Sequence, residues 1–223
     1  MVEPIRVTDP ALVRARLAAM RERMSEAARQ AGTDPSGVEV LAATKYVLSE
    51  DLPMLATAGV ELVGENRAQD LATRATVYGE LFRWDFIGAL QSRRVRTILP
   101  HVRLIHSVAS TSALRELDRH RALARPELEI LIEVNVAREP GKSGIAPAEL
   151  DSYLEHAPVP VAGLMCMPPL ASDPEDSRRW FAATRELAAA RDLPRLSMGT
   201  SQDYLVAVQE GATIVRIGTS LYS

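Results

Sequence analysis

The sequence holds 223 residues with a formal net charge of -3, from 26 Lys and Arg against 29 Asp and Glu residues. Because basic side chains are not in excess, the composition excludes a protein that holds nucleic acid through a strongly positive surface. The first ten residues, MVEPIRVTDP, lack the order of a signal peptide and no run is long and apolar enough to span a bilayer, so we expect a cytoplasmic protein.

The chain begins with a predicted amphipathic helix. Asp9 followed by Pro10 is a typical helix start, and Gly32 is a typical helix end. The apolar residues with helical spacing between them are Leu12, Leu17, Met20, Met24, Ala27 and Ala31. We predict one domain over residues 1–223, with a leading helix and loop at 1–37 and the main body at 38–223.

Short apolar runs then alternate regularly with helical patterns. The predicted strands are residues 38–44, 61–64, 84–88, 104–108, 129–136, 161–167, 195–199 and 213–218. The predicted helices between them are residues 49–58, 68–78, 92–99, 112–124, 147–156, 174–191 and 202–210. Strands that are apolar almost throughout are typical of parallel sheets, which are covered on both faces.

Eight such strands predict an α/β fold, a single (β/α)₈ TIM barrel with an extra N-terminal helix. An open doubly wound sheet is the alternative, but no G-x-G-x-x-G follows the first strand. The working site of such a barrel lies at the C-terminal ends of its strands. The polar groups at those ends are Lys45, Glu65-Asn66, Gln91-Ser92, Asn135, Ser197 to Ser201 and Arg216 to Thr219.

The last two strand ends predict a phosphate site. Barrels often hold phosphate in the loops after strands seven and eight, where small residues let backbone N–H groups approach an anion. The residues that we expect to supply this space and the hydroxyl donors are Ser197, Gly199, Ser201, Gly218 and Thr219. Tight turns and caps explain either cluster alone better than a phosphate does, so the phosphate interpretation depends on both clusters together, opposite Lys45.

Lys45 adds a second requirement, because a lysine whose pKa is lowered in a pocket can form an imine with an aldehyde. Pyridoxal 5'-phosphate combines the aldehyde and the phosphate, and we expect it as the cofactor. Arg216 shares the barrel face of Gly218 and could reach the pyridine nitrogen, which would then accept a hydrogen bond. The alternatives are a solvated strand-end lysine at position 45 and a structural ion pair at Arg216.

The motifs that carry these residues also carry a family resemblance, from about residue 38 to 223. They read, in order, ATKYV, GENRAQD, WDFIGALQS, VNVAREPGKSGI, GLMCMPP, LSMGTSQD and VRIGTSLY. In this order they resemble the pyridoxal phosphate homeostasis proteins, single-domain relatives of the alanine racemase barrel. The resemblance implies that Lys45 is the Schiff-base lysine and that Ser197, Ser201, Gly218 and Thr219 surround the phosphate.

The resemblance further implies that Arg216 faces the ring nitrogen and that Asn66 is a ring-side contact. It implies a protein without catalytic activity that binds, buffers and delivers the cofactor and other B6 vitamers, with apo-enzymes as recipients. Some positions depart from the family pattern. Asp85 replaces the histidine of the common WHFIG, Arg67 replaces the tyrosine of the common GENY, and Val47 lies where many members have a second lysine. Arg93 and Arg94 replace the end of LQSNK. Lys142, in GKSGI, is another possible cofactor-handling lysine or a solvated charge.

A racemase or decarboxylase that uses the same Lys45 is the alternative function. Barrel racemases obtain a second acid/base, a tyrosine, from an added β-domain, and the sequence ends at GTSLYS, so we expect no such domain here. Another alternative is an aldolase-type enzyme in which Glu65 is the general acid. We expect Cys166, the only cysteine, to be buried, the four histidines to be surface or packing residues, no metal site, and a monomer.

Overall fold

A closed barrel of eight parallel strands forms the centre of the molecule. The computed structural model describes residues 4–34 and 37–222. Each strand pairs with its neighbours in chain order, and the eighth closes on the first. The strands are β1 (Glu39–Ala43), β2 (Leu62–Glu65), β3 (Arg83–Phe86), β4 (Leu104–Val108), β5 (Glu129–Glu133), β6 (Val161–Met165), β7 (Arg195–Thr200) and β8 (Ile214–Ile217). The predicted barrel is confirmed, although the outer limits of the predicted domain at residues 1 and 223 lie outside the described residues.

Helices cover the outside of this barrel. They are α1 (Pro10–Ala31), α2 (Leu52–Thr57), α3 (Ala68–Tyr78), α4 (Val95–Ile98), α5 (Thr111–Arg119), α6 (Leu150–Glu155), α7 (Arg178–Ala189) and α8 (Tyr204–Gln209). Several predicted helices begin or end with a separate 3₁₀ turn, as at Ser49–Asp51 before α2 and at Arg121–Leu123 after α5. No helix in the described ranges is long and apolar enough to cross a membrane.

The leading helix α1 begins and ends where its sequence predicts. The Asp9 carboxylate accepts from the backbone N–H groups of Ala11 and Leu12, and Gly32 ends the helix with φ +71°. Its buried face contains Val13, Leu17, Met20, Met24, Ala27 and Ala28. Leu12, which the periodicity placed on that face, is 44% exposed, and Val13 takes its place. The helix packs on α8 and α2.

The strands separate an inner core from an outer one. The inner cluster contains Leu41, Leu62, Leu104, Leu131, Ala162, Met165 and Ile214. The outer and larger cluster lies between the strands and the helices and includes Trp84, Phe86 and Phe181. Alternate residues of a strand point to opposite faces, so polar side chains on the inner face lie inside the barrel.

Several strands are shorter than their apolar runs predict. β5 ends at Glu133 rather than at 136, and Val134 continues only as an isolated bridge to Ile145. β1 ends at Ala43, so Lys45 lies in the turn that follows. Buried apolar residues therefore continue past the last ladder hydrogen bond, where they line loops instead of strands.

Candidate functional site

A cavity of about 470 Å³ lies at the C-terminal ends of the strands. Six of the residues predicted for the site line it: Lys45, Asn66, Ser201, Arg216, Gly218 and Thr219. Ser197 and Gly199 are not among the described residues that line it. The barrel thus brings most of the predicted set together at the end where barrel sites are expected.

Lys45 presents an accessible amine on one side of the cavity. Its side chain is exposed, and Nζ lies 4.9 Å from the centroid of the Tyr46 ring. Its backbone belongs to a tight turn in which the Val47 N–H donates to the Thr44 carbonyl at 2.9 Å. The N-terminal segment crosses this turn, and the Ile5 N–H donates to the Tyr46 carbonyl at 2.7 Å. Lys45 therefore combines a free end with an ordered backbone.

Arg216 presents the opposite arrangement on β8, because its side chain is only 7% exposed. Nη1 donates to the Ser197 carbonyl at 2.7 Å and to Ser197 Oγ at 2.5 Å. Nη2 donates to the Cys166 carbonyl at 3.1 Å and contacts Met167 Sδ at 2.8 Å. Burial lowers the pKa of Arg216 from its usual value. The guanidinium is thus fixed in orientation by β7 and by the end of β6.

Ser197 connects Arg216 to polar groups inside the barrel. Its Oγ lies 2.8 Å from His106 Nδ1, and His106 Nε2 lies 3.1 Å from Asp85 Oδ2. A guanidinium only donates, so Ser197 accepts from Arg216 and its own hydrogen is directed to His106. His106 then donates through Nε2 to Asp85, and burial lowers the pKa of His106. The histidine that we took as a surface or packing residue is therefore a buried, hydrogen-bonded one.

Asp85 continues this chain to the other end of the barrel. Arg103 donates to both oxygens of Asp85, at 3.0 and 3.1 Å, and also to Glu39 at 2.9 Å. Arg103 and Glu39 are near the N-terminal ends of their strands, on the face away from the cavity. The departure from the family pattern at Asp85 is thus placed inside the barrel, three side chains away from the cavity, and not in its wall.

The predicted phosphate residues divide into two groups. Ser201, Gly218 and Thr219 lie together: the Gly218 N–H donates to Ser201 Oγ at 3.3 Å, and the Ser220 hydroxyl donates to it at 2.9 Å. Gly199, with φ +90°, faces α8 instead, and a Cβ there would lie 2.5 Å from Ala207 Cβ. The helix that we expected near Gln202 begins at Tyr204 and has six residues. The donors at this end are therefore mainly hydroxyls and loop N–H groups.

Asn66 supplies a polar atom without a protein partner. Its Oδ1 is buried, and the described residues give it no hydrogen bond. The backbone of Asn66 packs tightly on Gly88, where a Cβ would lie 2.6 Å from the Asn66 carbonyl carbon. Buried polar atoms of native proteins normally have a partner, which can be a ligand. Asn66 is consequently a candidate ligand contact.

The cavity also contains residues that the sequence did not predict. Glu133, at the end of β5, accepts from the Ser143 hydroxyl at 2.8 Å, and burial raises its pKa. The Tyr222 hydroxyl donates to the Ala43 carbonyl at 3.2 Å, and burial raises the pKa of Tyr222. Glu133 ends the observed β5 but lies inside the predicted strand 129–136, so the predicted strand end pointed to Asn135 instead. Tyr222 follows the last strand, and no pattern marks it.

Two other predicted candidates, Glu65 and Lys142, are not among the described residues that line the cavity. Glu65 is buried beneath the Lys45 turn and is not among the lining residues, so it is not placed as the general acid of an aldolase. Lys142 is exposed, and its Nζ lies 3.9 Å from Glu139 Oε2. Lys45 and Lys142 are the only lysines in the sequence. Val47, where many family members have a lysine, is buried in a bridge with Ile5.

Cys166 is buried, as expected, and its backbone rather than its thiol serves the site. Burial raises the pKa of the Cys166 thiol to about 11. A thiol with so high a pKa is a poor nucleophile at neutral pH. Its carbonyl is one of the acceptors that orient Arg216.

Comparison with known proteins identifies similar chains over nearly the whole length. Residues 15–223 match the family described as "Alanine racemase, N-terminal domain". A pyridoxal phosphate homeostasis protein of Aquifex aeolicus is 37% identical over 218 residues, which cover 93% of this chain and 96% of the relative.

Solved structures give the same result. PipY of Synechococcus elongatus, with PLP bound, is 30% identical with a TM-score of 0.79, over 95% of this chain and 100% of PipY. Alanine racemase of Corynebacterium glutamicum has a TM-score of 0.67 at 13% identity, and 62% of its chain is covered. The racemase likeness shows the shared fold alone.

Proposed function

Because the chain belongs to the alanine racemase N-terminal domain family, and within it to the pyridoxal phosphate homeostasis proteins, we propose that it binds pyridoxal 5'-phosphate and maintains vitamin B6 balance without turning over a substrate. One observation carries this proposal. A single cavity combines the accessible amine of Lys45, the buried guanidinium of Arg216, and the Ser201, Gly218 and Thr219 cluster.

The residues of this cavity fit the cofactor in chemistry. Gly218 lines the cavity, and a Cβ built on it would meet no atom within 4 Å, so the glycine leaves open space beside the hydroxyls of Ser201 and Thr219. Hydroxyls and closely approaching backbone N–H groups suit a phosphate. The buried Asn66 Oδ1 offers a hydrogen bond that no described residue takes.

Each residue has a distinct role in the proposal. When bound, the cofactor supplies an aldehyde that condenses with a lysine amine and releases water. Lys45 is the lysine that would hold it. Ser201, Gly218 and Thr219 would bind its phosphate, and Arg216 would donate a hydrogen bond to its ring nitrogen. Ser197 and Gly199 act indirectly, because the first orients Arg216 and the second lets α8 approach β7.

The first experiment is the absorbance spectrum of the purified protein with pyridoxal 5'-phosphate, for the wild type and for Lys45→Ala. We expect a yellow band in the wild type that borohydride fixes to the Lys45 peptide. Peptide mass analysis reads the result cleanly, since Lys142 is the only other lysine side chain. Lys142→Ala, which removes the exposed lysine, is the matched control and should retain the band.

A wild type without the band, or with label on Lys142 and not on Lys45, would overturn the proposal. Lys45 would then be a solvated residue after a strand. A Lys45→Ala variant that keeps the wild-type spectrum would have the same meaning, because no other lysine lines the described cavity.

The absence of turnover is part of the proposal and has its own support. The Tyr222 hydroxyl is engaged with the Ala43 carbonyl and its pKa is raised, so it is not a ready acid/base group. Glu133 is the only carboxyl group among the described lining residues. Besides Lys45, the described lining residues left to supply a second acid/base group are Glu133 and Tyr46. Chiral and carbon dioxide assays on the common amino acids should show no racemase or decarboxylase activity above the free-cofactor rate.

The proposed partners are small molecules and recipient enzymes. We propose that the protein is a cytoplasmic monomer that releases the cofactor to apo-enzymes. Sedimentation with and without pyridoxal 5'-phosphate tests the oligomeric state. Faster reactivation of an apo-enzyme by the loaded protein than by the same concentration of its Lys45→Ala variant mixed with cofactor tests delivery.

A further inference from the structure

The turn that carries Lys45 is held by side-chain and backbone donors from distant parts of the chain. The Ala43 carbonyl accepts from Tyr222, and the Tyr46 carbonyl accepts from the Ile5 N–H. The Thr44 and Val47 carbonyls, on either side of Lys45-Tyr46, both accept from one side chain, that of Arg74. A single residue of α3 therefore fixes both ends of the turn.

Arg74 is 9% exposed, and all three of its nitrogens have partners. Nη1 donates to the Thr44 carbonyl at 2.9 Å, Nη2 to the Val47 carbonyl at 2.7 Å, and Nε to Ser49 Oγ at 3.1 Å. The planar guanidinium has its donors in a rigid fork, which a lysine ammonium cannot reproduce. The distance between the two carbonyls is thus set by the shape of the arginine.

Glu65 holds Arg74 from the end of β2. Its Oε1 accepts from Arg74 Nη1 at 2.5 Å and from the Thr44 hydroxyl at 2.5 Å. Its Oε2 is buried without a hydrogen-bond partner among the described residues, and burial raises the pKa of Glu65. A buried ion pair adds little net stability, and an unpartnered oxygen costs stability. The arrangement is better explained by the geometry that it imposes on the turn.

From these contacts we propose that Arg74 and Glu65 are positioning residues for Lys45. They fix the turn so that the Lys45 amine faces the cavity, and neither is among the residues that line the cavity. The inference rests on the proposed function, in which Lys45 holds the cofactor. According to this inference, loss of Arg74 lowers the reactivity of Lys45 and leaves the fold intact.

The test compares Arg74→Met with Arg178→Met in the full-length protein. Arg178 also donates four hydrogen bonds, to Glu175, Glu210 and Gln209, but lies on α7 away from the cavity. Each protein is treated with pyridoxal 5'-phosphate and borohydride, and the labelled Lys45 and Lys142 peptides are quantified. We expect the ratio of Lys45 to Lys142 label to fall about tenfold in Arg74→Met, as for the loss of charged hydrogen bonds, and to be unchanged in Arg178→Met.

One further measurement and two further variants separate positioning from general destabilisation. Amide hydrogen exchange without cofactor should accelerate in the peptide that spans residues 44–48 in Arg74→Met and not in Arg178→Met. Arg74→Lys retains a cation beside Glu65 but cannot span both carbonyls. We therefore expect its ratio of Lys45 to Lys142 label to be nearly as low as that of Arg74→Met. Glu65→Gln retains the acceptor oxygen and the shape, so its loss should be smaller, and it decides the question if the Arg74 variants do not fold.

The outcomes distinguish this inference from the proposed function. If the wild type labels Lys45 and the Arg74→Met and Glu65→Gln ratios equal that of Arg178→Met, the inference is wrong and the proposed function stands. If Arg74→Lys restores the wild-type ratio, charge and not geometry is responsible, which also overturns the inference. If the wild type itself does not label Lys45, the proposed function fails and the inference fails with it.

Discussion

Lys45 and Arg216 present a cation to the same cavity, but the chain holds them in opposite ways. Lys45 has an exposed side chain, and its neighbours hold the carbonyls of its backbone turn. Arg216 is 7% exposed, and its neighbours hold the guanidinium itself. A lysine that reacts must lose a proton and move, whereas an arginine that orients a ring must keep its charge and direction. Each region fixes the part of its residue that does not change.

The support behind the two residues also differs in location. The Lys45 turn is supported from outside the barrel, by α3 and the N-terminal segment. Arg216 is supported from inside, through Ser197, His106 and Asp85 to Arg103. We therefore expect substitutions of the residues that support Arg216 to lower the free energy of unfolding more than substitutions of the residues that support the Lys45 turn.

Asp85→Ala should have the largest effect. It removes the acceptor of His106 and the bidentate partner of Arg103. Of the acceptors that the structure describes for this largely buried guanidinium, only Glu39 then remains. Breaking a buried ion pair costs about 3–5 kcal/mol, and we expect a loss of that size in the free energy of urea unfolding. Asp151→Ala, which breaks an exposed pair with Arg191, is the control and should leave the unfolding midpoint unchanged. An Asp85→Ala protein as stable as this control would contradict the supporting role of the internal chain.

Two glycines allow the two sides of the cavity to be changed separately. Gly88→Ala would press on the Asn66 backbone beside the Lys45 turn, and Gly199→Ala would press on Ala207 behind Arg216 at φ +90°. Each should cost about 1–3 kcal/mol of unfolding free energy. Gly218→Ala meets no atom within 4 Å, so it should retain stability and lose cofactor affinity because Gly218 lines the cavity. Equal stability of all three variants would show that these close contacts relax at no cost.

The smallest expected effect is a pH dependence of the unfolding free energy that comes from His106, in the chain that supports Arg216. Burial lowers the pKa of His106 from its usual 6.5, so the unfolded chain binds the proton more readily than the folded protein. The stability that His106 provides is present above pH 6.5 and is lost as the pH falls through 6.5 toward the lower folded pKa. Between the folded and unfolded pKa values, His106 contributes about 1.4 kcal/mol per pH unit to the dependence of the unfolding free energy on pH.

The measurement for this effect is urea unfolding of the wild type and His106→Gln at several pH values below neutral. The difference between the two proteins should shrink as the pH falls. The raised pKa values of Glu65 and Glu133 act in the opposite direction, and they are common to both proteins and cancel in the difference. His156→Gln, which removes an exposed histidine, is the control for the loss of a histidine as such. A constant difference between the wild type and His106→Gln would contradict a neutral buried His106.

The sequence predicted local features well and contacts between distant residues poorly. The helix limits at Asp9, Pro10 and Gly32 and the eight apolar runs depend on neighbouring residues, and the structure confirms them. The predicted end of β5 was three residues too late because apolar residues continue into a loop.

The site shows the same limit. SMGTS is contiguous, but the pairing of β7 with β8 shifts between Ser197 and Thr200, and this decides that Ser201 reaches the cavity while Ser197 and Gly199 do not. Arg74 and His106 act on residues 30 and 91 positions away, respectively. A single sequence gives no periodic signal for such pairs.

The small number of lysines has a consequence for a protein that is proposed to hold an aldehyde. Lys and Arg together number 26, yet only Lys45 and Lys142 carry a side-chain amine. A guanidinium stays protonated and does not form imines at neutral pH. Arginine thus gives the surface its positive charge while leaving it almost unreactive toward the aldehyde. Few sites other than Lys45 are therefore available for unwanted imine formation with the proposed ligand.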